Sequence, residues 1–328
     1  MKIYLTSAYD VHNMLDALTV LTKKDVMARH TVCATPEEAD IILFVEDAHF
    51  DDYLYKQLRL HPLVKQYPDK VFMYNELDKP WCVLPGLYSS MPRRYFQENR
   101  QVAFGFIHTP NDFVKNIYSE TTDQQRRWLF SFVGAMSHRC RRHIMALNDL
   151  TPSVQDTSEF NVWDCTEDTK ASQGMNYASV MAESQYVLCP RGIGTSSFRL
   201  FEAMEAGRAP VIISNQWVEP NCVNWDFAVR IPEHDIACIP DYLRSIADEA
   251  HDRGVAARAA WERTFAPECR FDTMIEGVGG LLESRKSATS AVHFQNFRKV
   301  LINGEVKFLH SARRMRDRLQ HLSSDFSV

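Results

Sequence analysis

Between Phe198 and Ala206 the chain is almost wholly apolar, with Phe198, Leu200, Phe201, Ala203, Met204 and Ala206, yet Arg199 and Glu202 stand among them. Residues three apart share a helix face, and a charge on a buried helix is costly unless a partner meets it. Two arrangements satisfy that requirement. The pair can bridge internally, or each can face a ligand, Arg199 neutralising a diphosphate and Glu202 accepting hydrogen bonds from ribose hydroxyls. The preceding residues, Arg191, Gly192, Ile193, Gly194, Thr195, Ser196 and Ser197, form a glycine- and hydroxyl-rich loop that runs into this helix. Such a loop brings free backbone N–H groups and the positive end of the helix dipole to one point, which suits a phosphate. The candidate binding set is therefore Arg191, Gly192, Gly194, Ser196, Ser197, Arg199 and Glu202. Asn215, Gln216 and Trp217, past the next apolar run, are candidates for touching a sugar, although Trp217 reads equally as packing.

The elements that must hold these residues surround them. Residues 186–189 are a short apolar run, Gly207 stops the helix, and residues 209–214 are a second apolar run. Strand, loop, helix and strand in that order make a βαβ unit of a parallel sheet. Upstream, residues 1–6 read as a strand, 13–21 as a helix, 36–40 as a helix end, and 41–45 and 70–74 as strands. Residues 85–113 are loop-rich with strand-like pieces around 102–107, and the polar residues 119–125 read as an interdomain linker. Beyond it, strands are expected at 128–133 and 228–231 and helices at 139–147, 240–247, 255–265 and 271–284, with a polar loop at 149–158. The expected fold is α/β, with a Rossmann-like domain over residues 1–122, a second over 123–285 and a tail at 286–328. Facing one another, two such domains enclose a cleft at the carboxyl ends of both sheets.

The ordered residues Tyr186-Val187-Leu188-Cys189-Pro190-Arg191-Gly192, Ser197-Phe198-Arg199-Leu200-Phe201-Glu202-Ala203 and Pro210-Val211-Ile212 resemble the pattern of the exostosin-like glycosyltransferases, the family of the heparan sulfate polymerases. The resemblance extends upstream to Phe130-Ser131-Phe132-Val133-Gly134 with the basic residues 139–142, and downstream through Ser214-Asn215-Gln216-Trp217, Asn224-Trp225 and Ile239-Pro240, about half the chain. It implies a GT-B-type fold with the nucleotide-sugar donor on the second domain and a glycan acceptor on the first. It further implies a UDP-sugar co-substrate, inversion at the anomeric carbon, no cofactor and no metal ion, and a tail helix that crosses back onto the first domain. One departure concerns the donor: several animal members carry extra basic residues after Pro-Arg-Gly, where this chain has Ile193 and Gly194, so the sugar or its charge is open. A catalytically silent relative that binds nucleotide or glycan is the alternative reading.

Glycosyl transfer also needs a group to take the acceptor proton. Loops after first-domain strands offer Asp10 and His12, Glu46 and Asp47, and Glu76 and Asp78. Asp78 ranks first, because it follows a strand and precedes a Pro- and Gly-rich loop, and Asp10 second, although each also reads as a turn carboxylate. A dehydrogenase is disfavoured, since Ser7-Ala8-Tyr9-Asp10 stands where a Gly-x-Gly-x-x-Gly would follow the first strand.

Composition bounds the rest. A chain of 328 residues with 45% hydrophobic content can build two cores. A net charge of −5 and a pI near 6.2 give no global attraction to nucleic acid or an anionic membrane, and the stripe Arg313, Arg314, Arg316 and Arg318 reads as a solvated helix face. No apolar window of membrane-spanning length and no leader-like stretch is seen, so a cytoplasmic protein is expected, with room for peripheral association with a membrane-bound glycan assembly system. Eight scattered cysteines indicate free thiols, and the isolated His49, His61, His108, His138 and His143 read as surface or core histidines rather than metal ligands.

Overall fold

The computed structural model describes residues 1–49, 51–107, 111–120, 126–147, 153–160 and 165–285. Two sheets organise them. The first runs β2-β1-β3-β4-β5-β6, from β1 (Lys2–Thr6), β2 (Thr31–Val32), β3 (Ile41–Glu46), β4 (Val71–Asn75), β5 (Gly86–Tyr88) and β6 (Gln101–Ala103). The second runs β11-β10-β9-β7-β8, from β7 (Trp128–Gly134), β8 (Val154–Asp156), β9 (Ser184–Pro190), β10 (Ala209–Ile213) and β11 (Val229–Arg230). Every pairing is parallel. The continuous apolar run of β3 is buried along its whole length, as expected of a strand covered on both faces.

The helices of the first lobe are α1 (Asn13–Lys24), α2 (Lys56–Leu60), α3 (Pro62–Gln66) and α4 (Ile117–Glu120). Those that follow are α5 (Arg139–Met145), α6 (Glu167–Ala182), α7 (Phe198–Glu205), α8 (Ile239–Ser245), α9 (Ala250–Thr264) and α10 (Arg270–Arg285). Helix α7 bears out the strand-loop-helix-strand reading: it joins β9 to β10, buries seven of its eight residues and ends at Gly207, whose φ of +63° is the left-handed stop that favours glycine. No helix among the described residues is long and apolar enough to cross a membrane.

Several expectations are corrected. Residues 36–40 are bends, not a helix end. Strand β2 is only two residues long, so a short connection suffices to carry the chain past β1 to β3. The loop-rich stretch contains β5, and the polar loop contains β8, both three residues long and lacking the β-branched run that marks a strand. Helix α6 was not anticipated. Thr166 caps it by accepting from the Thr169 N–H, and Glu167 and Asp168 occupy its first turn. Ser119 and Glu120, read as linker, belong to α4, and residues 121–125 lie outside the described residues.

The largest correction concerns α10, expected to close the second domain. It lies against the first sheet, with Gly277 facing Val102 and Leu87 and Gly279 facing the Met1 side chain. Asp272 and Glu276 pair with Arg29 across this seam. Periodicity reveals an apolar helix face but not which sheet it covers. The tail at 286–328, including the arginine stripe, lies outside the described residues.

One apolar cluster passes through both lobes. Phe106 stacks on Phe198 at 3.9 Å, and Phe104 meets Phe265 edge-on at 5.5 Å. Polar contacts reinforce the seam: the Arg93 N–H donates to the Gln216 carbonyl at 2.8 Å, and Thr195 Oγ1 donates to the Ser90 carbonyl at 2.9 Å.

Candidate donor-binding cleft

A cavity of about 730 Å³ lies between the lobes, at the ends of β4, β7 and β9. Its floor is cationic. Arg199 is buried, stacks on Phe132 at 4.6 Å and Tyr177 at 5.7 Å, and donates through Nη2 to the Val133 carbonyl. Its Nε and Nη1 have no acceptor among the described residues. A Cβ at Gly134 would stand 2.5 Å from Arg199 Nη2 and would displace the guanidinium from its present place. Arg141 lies alongside, with one bond from each nitrogen to a backbone carbonyl: Nε to Arg191 at 2.9 Å, Nη1 to Ala135 at 2.9 Å and Nη2 to Pro190 at 3.3 Å, which leaves two of its five N–H groups for a ligand. Burial, reinforced by the charge of Arg199, pulls its pKa down to about 10.

Neither guanidinium pairs with a carboxylate among the described residues. Glu202 is no exception: its carboxylate accepts from Tyr177 Oη at 2.5 Å. Burial raises its pKa, opposed by the Tyr177 hydroxyl and by Arg199. The internal bridge that the sequence left open is therefore absent. A buried and a half-buried cation, neither ion-paired among the described residues, mark a place where a polyanion gains more than it loses in desolvation.

Of the loop residues, Gly192, Gly194, Ser196 and Ser197 line the cavity. Among the described residues Ser196 Oγ is buried without a partner, and no side chain caps the N-terminus of α7. Arg191 is not part of the wall. Its Nη2 donates to the Ile193 carbonyl at 3.1 Å, so it shapes the loop from behind. Asn215 also stands apart from the cavity, exchanging hydrogen bonds with Glu233 at 3.0 and 3.1 Å. Gln216 meets Arg93 and Arg94, and Trp217 packs edge-on against Trp225 at 4.9 Å.

Glu76, Asp78, Phe106, Asn111, Asp112 and Phe113 form the first-lobe wall. Asp78 is accessible from the cleft but enclosed by protein, which raises its carboxyl above the usual range against the pull of Ser90, the Gly194 N–H, Arg191 and Arg141. Ser90 Oγ lies beside it without the alignment of a full hydrogen bond. Any side chain at Gly194 would collide with Asp78 Oδ1. Asp10 is exposed and not part of the wall. The other carboxylates weighed as bases are structural. Asp47 caps α1, accepting from the Asn13 and Met14 N–H groups at 2.9 and 2.8 Å. Glu46 pins the turn after β1 through the Ala8 N–H at 2.9 Å and Ser7 Oγ at 2.8 Å. His61 and His138 cap α3 and α5.

Arg141 and Tyr177 were not singled out from the sequence. Gly134 followed by basic residues was the available signal for Arg141, whereas Tyr177 depends on where α6 lies. One set of His, Asp and Glu side chains among the described residues is close enough to share a cation, His30, Asp272 and Glu276. It lies at the α10 seam, where Arg29 already pairs with both carboxylates.

Two Rossmann-like lobes facing across a ligand-sized cleft define an α/β protein of the GT-B type. Residues 67–246 match the Exostosin GT47 domain, and the chain belongs to that family. It is similar to Exostosin-1 of Drosophila melanogaster, 34% identical over 105 residues, which cover 31% of this chain and 14% of that protein. With the Exostosin-1 homolog of Caenorhabditis elegans it shares 27% identity over 152 residues, 40% of each. A probable glycosyltransferase of Arabidopsis thaliana is 31% identical over 106 residues, 30% of this chain and 20% of the plant protein. The matches thus span less than half the length of these relatives. Among solved structures, a glycosyltransferase from Rickettsia africae ESF-5 gives a TM-score of 0.42 at 11% identity, over 92% of this chain and 98% of that one.

Proposed function

We propose that the protein transfers a sugar from a UDP-sugar to a hydroxyl of a glycan or polysaccharide, inverting the anomeric carbon and using no metal ion. The observation that carries this reading is the pair of guanidiniums beside the loop that opens α7, Arg199 buried and Arg141 half-buried, neither ion-paired with a carboxylate among the described residues. The uridine is the family's expectation.

In this mechanism the diphosphate lies over Arg141 and Arg199 and against the Gly192–Ser197 loop. As the glycosidic bond breaks, the two cations and the N-terminal N–H groups of α7 stabilise the departing charge, the role a divalent ion plays elsewhere. Glu202, fixed by Tyr177, accepts from the ribose hydroxyls. The acceptor enters from the first lobe, and Asp78 takes its proton. Burial raises its pKa, which strengthens it as a base. Asp10 and Asn215, both outside the cavity, are not assigned a part. A cytoplasmic setting, beside a membrane-bound glycan assembly system, fits the composition.

The test is UDP release from a panel of UDP-sugars with oligosaccharide acceptors, alongside calorimetric titration with UDP. Transfer with UDP release is expected. Tight UDP binding with no turnover of any donor would identify the silent module, and absence of UDP binding would refute the donor site.

A further inference from the structure

Of the loop residues from Gly192 to Ser197, Thr195 alone does not line the cavity. It is buried, and its hydroxyl turns to the first lobe, where Oγ1 donates to the Ser90 carbonyl at 2.9 Å. Its own carbonyl accepts from Ser214 Oγ at 2.8 Å, just past β10. Ser90 lies just beyond β5 and Asp78 just beyond β4, and these strands pair in parallel, so both residues stand at the same edge of the first sheet. The point that a Gly194 Cβ would take is 2.8 Å from Ser90 Oγ and in collision with Asp78 Oδ1. The loop backbone thus rests on the Asp78 carboxylate and the Ser90 hydroxyl at a position where any side chain would push them away.

Resting on the reading of Asp78 as the base, these contacts join the two halves of the reaction. The loop that offers N–H groups to the diphosphate on one side presses on the other against the carboxylate that takes the acceptor proton. Contact alone does not fix that distance. The Thr195 hydroxyl does, because a buried carbonyl that loses its donor is costly, and Ser90 keeps its donor only while the loop stays seated. We infer that Thr195 is a positioning residue: its bond to Ser90 holds Gly194 against Asp78 and so sets where the base stands relative to the loop that carries the diphosphate. Misplacing a reacting group by about 1 Å costs about a hundredfold in rate, whereas the donor side of the loop stays anchored through Ser214.

Transfer kinetics and UDP titration of the full chain test this. Thr195→Val, similar in shape but without a donor, should lower kcat about tenfold or more while donor KM and UDP affinity stay within about threefold of wild type, and Thr195→Ala should do the same. Thr195→Ser, which keeps the hydroxyl, should bring kcat back to within about threefold. Added to Asp78→Asn, Thr195→Val should cost nothing further, because a residue that acts through Asp78 has no second route. Wild-type kcat in both hydroxyl-free variants, a parallel loss of kcat and UDP affinity, or an additive loss in the double variant overturns the inference and leaves the base where it is. Normal turnover in Asp78→Asn alone removes the base reading and this inference with it.

Discussion

Replacing Arg199 by Met separates a ligand-binding cation from a structural one, because the two roles predict opposite changes in stability. Nε and Nη1 are buried without acceptors among the described residues, and each such orphan costs about 1–3 kcal/mol. Against this stand the Nη2 bond to Val133 and the stack on Phe132, about 1 kcal/mol apiece. Arg199→Met should therefore raise the stability of the unliganded protein by about 2 kcal/mol. The same change removes two charge-assisted hydrogen bonds to the diphosphate, at least about 3 kcal/mol together, or about a hundredfold in Kd. Urea unfolding with and without UDP reads both quantities, since a ligand bound only to the folded state adds stability that depends on Kd. A variant that is less stable yet keeps wild-type UDP affinity would refute the reasoning and make Arg199 a structural cation.

Glu202→Gln should weaken UDP about tenfold while leaving inorganic diphosphate unaffected, because only UDP carries the ribose; calorimetry with both ligands checks it. Asp78→Asn should cut transfer by about a hundredfold or more with UDP affinity within about threefold of wild type, and normal turnover would move the base elsewhere. Glu46 is buried and its pKa is pushed from an ordinary 4.5 up to about 7, mainly by desolvation. A carboxyl raised in the folded state contributes stability that is complete below its unfolded pKa and lost as pH rises through the folded one. Between pH 4.5 and 7.5 the native protein should thus lose about 3 kcal/mol that Glu46→Gln does not, and parallel urea profiles for the two proteins would contradict this.

What could be read from the sequence was what local order determines. The βαβ unit around α7 was legible because an apolar helix interrupted by Arg199 and Glu202, stopped at Gly207 and followed by Pro210-Val211-Ile212, leaves few alternatives. That Arg199 and Glu202 form no direct ion pair could not be read, since it depends on Val133 and Tyr177 arriving from other elements. Asp78 was found by its place after a strand, but Asp10 satisfied the same rule and lies outside the cleft. Asn215 followed a core strand and turned to Glu233 instead. Proximity in sequence names the loops at a sheet's carboxyl edge, and the packing of the lobes decides which of them meet.

Helix α10 has a consequence for how the polypeptide acquires its shape. The first sheet keeps Leu87 and Val102 from water by means of a helix encoded after the whole of the second sheet. As the chain leaves the ribosome, residues that begin the first lobe are synthesised early and stay without their cover until Arg270–Arg285 emerges. Its completion during synthesis therefore waits on the second, and the order of translation is not the order of maturation.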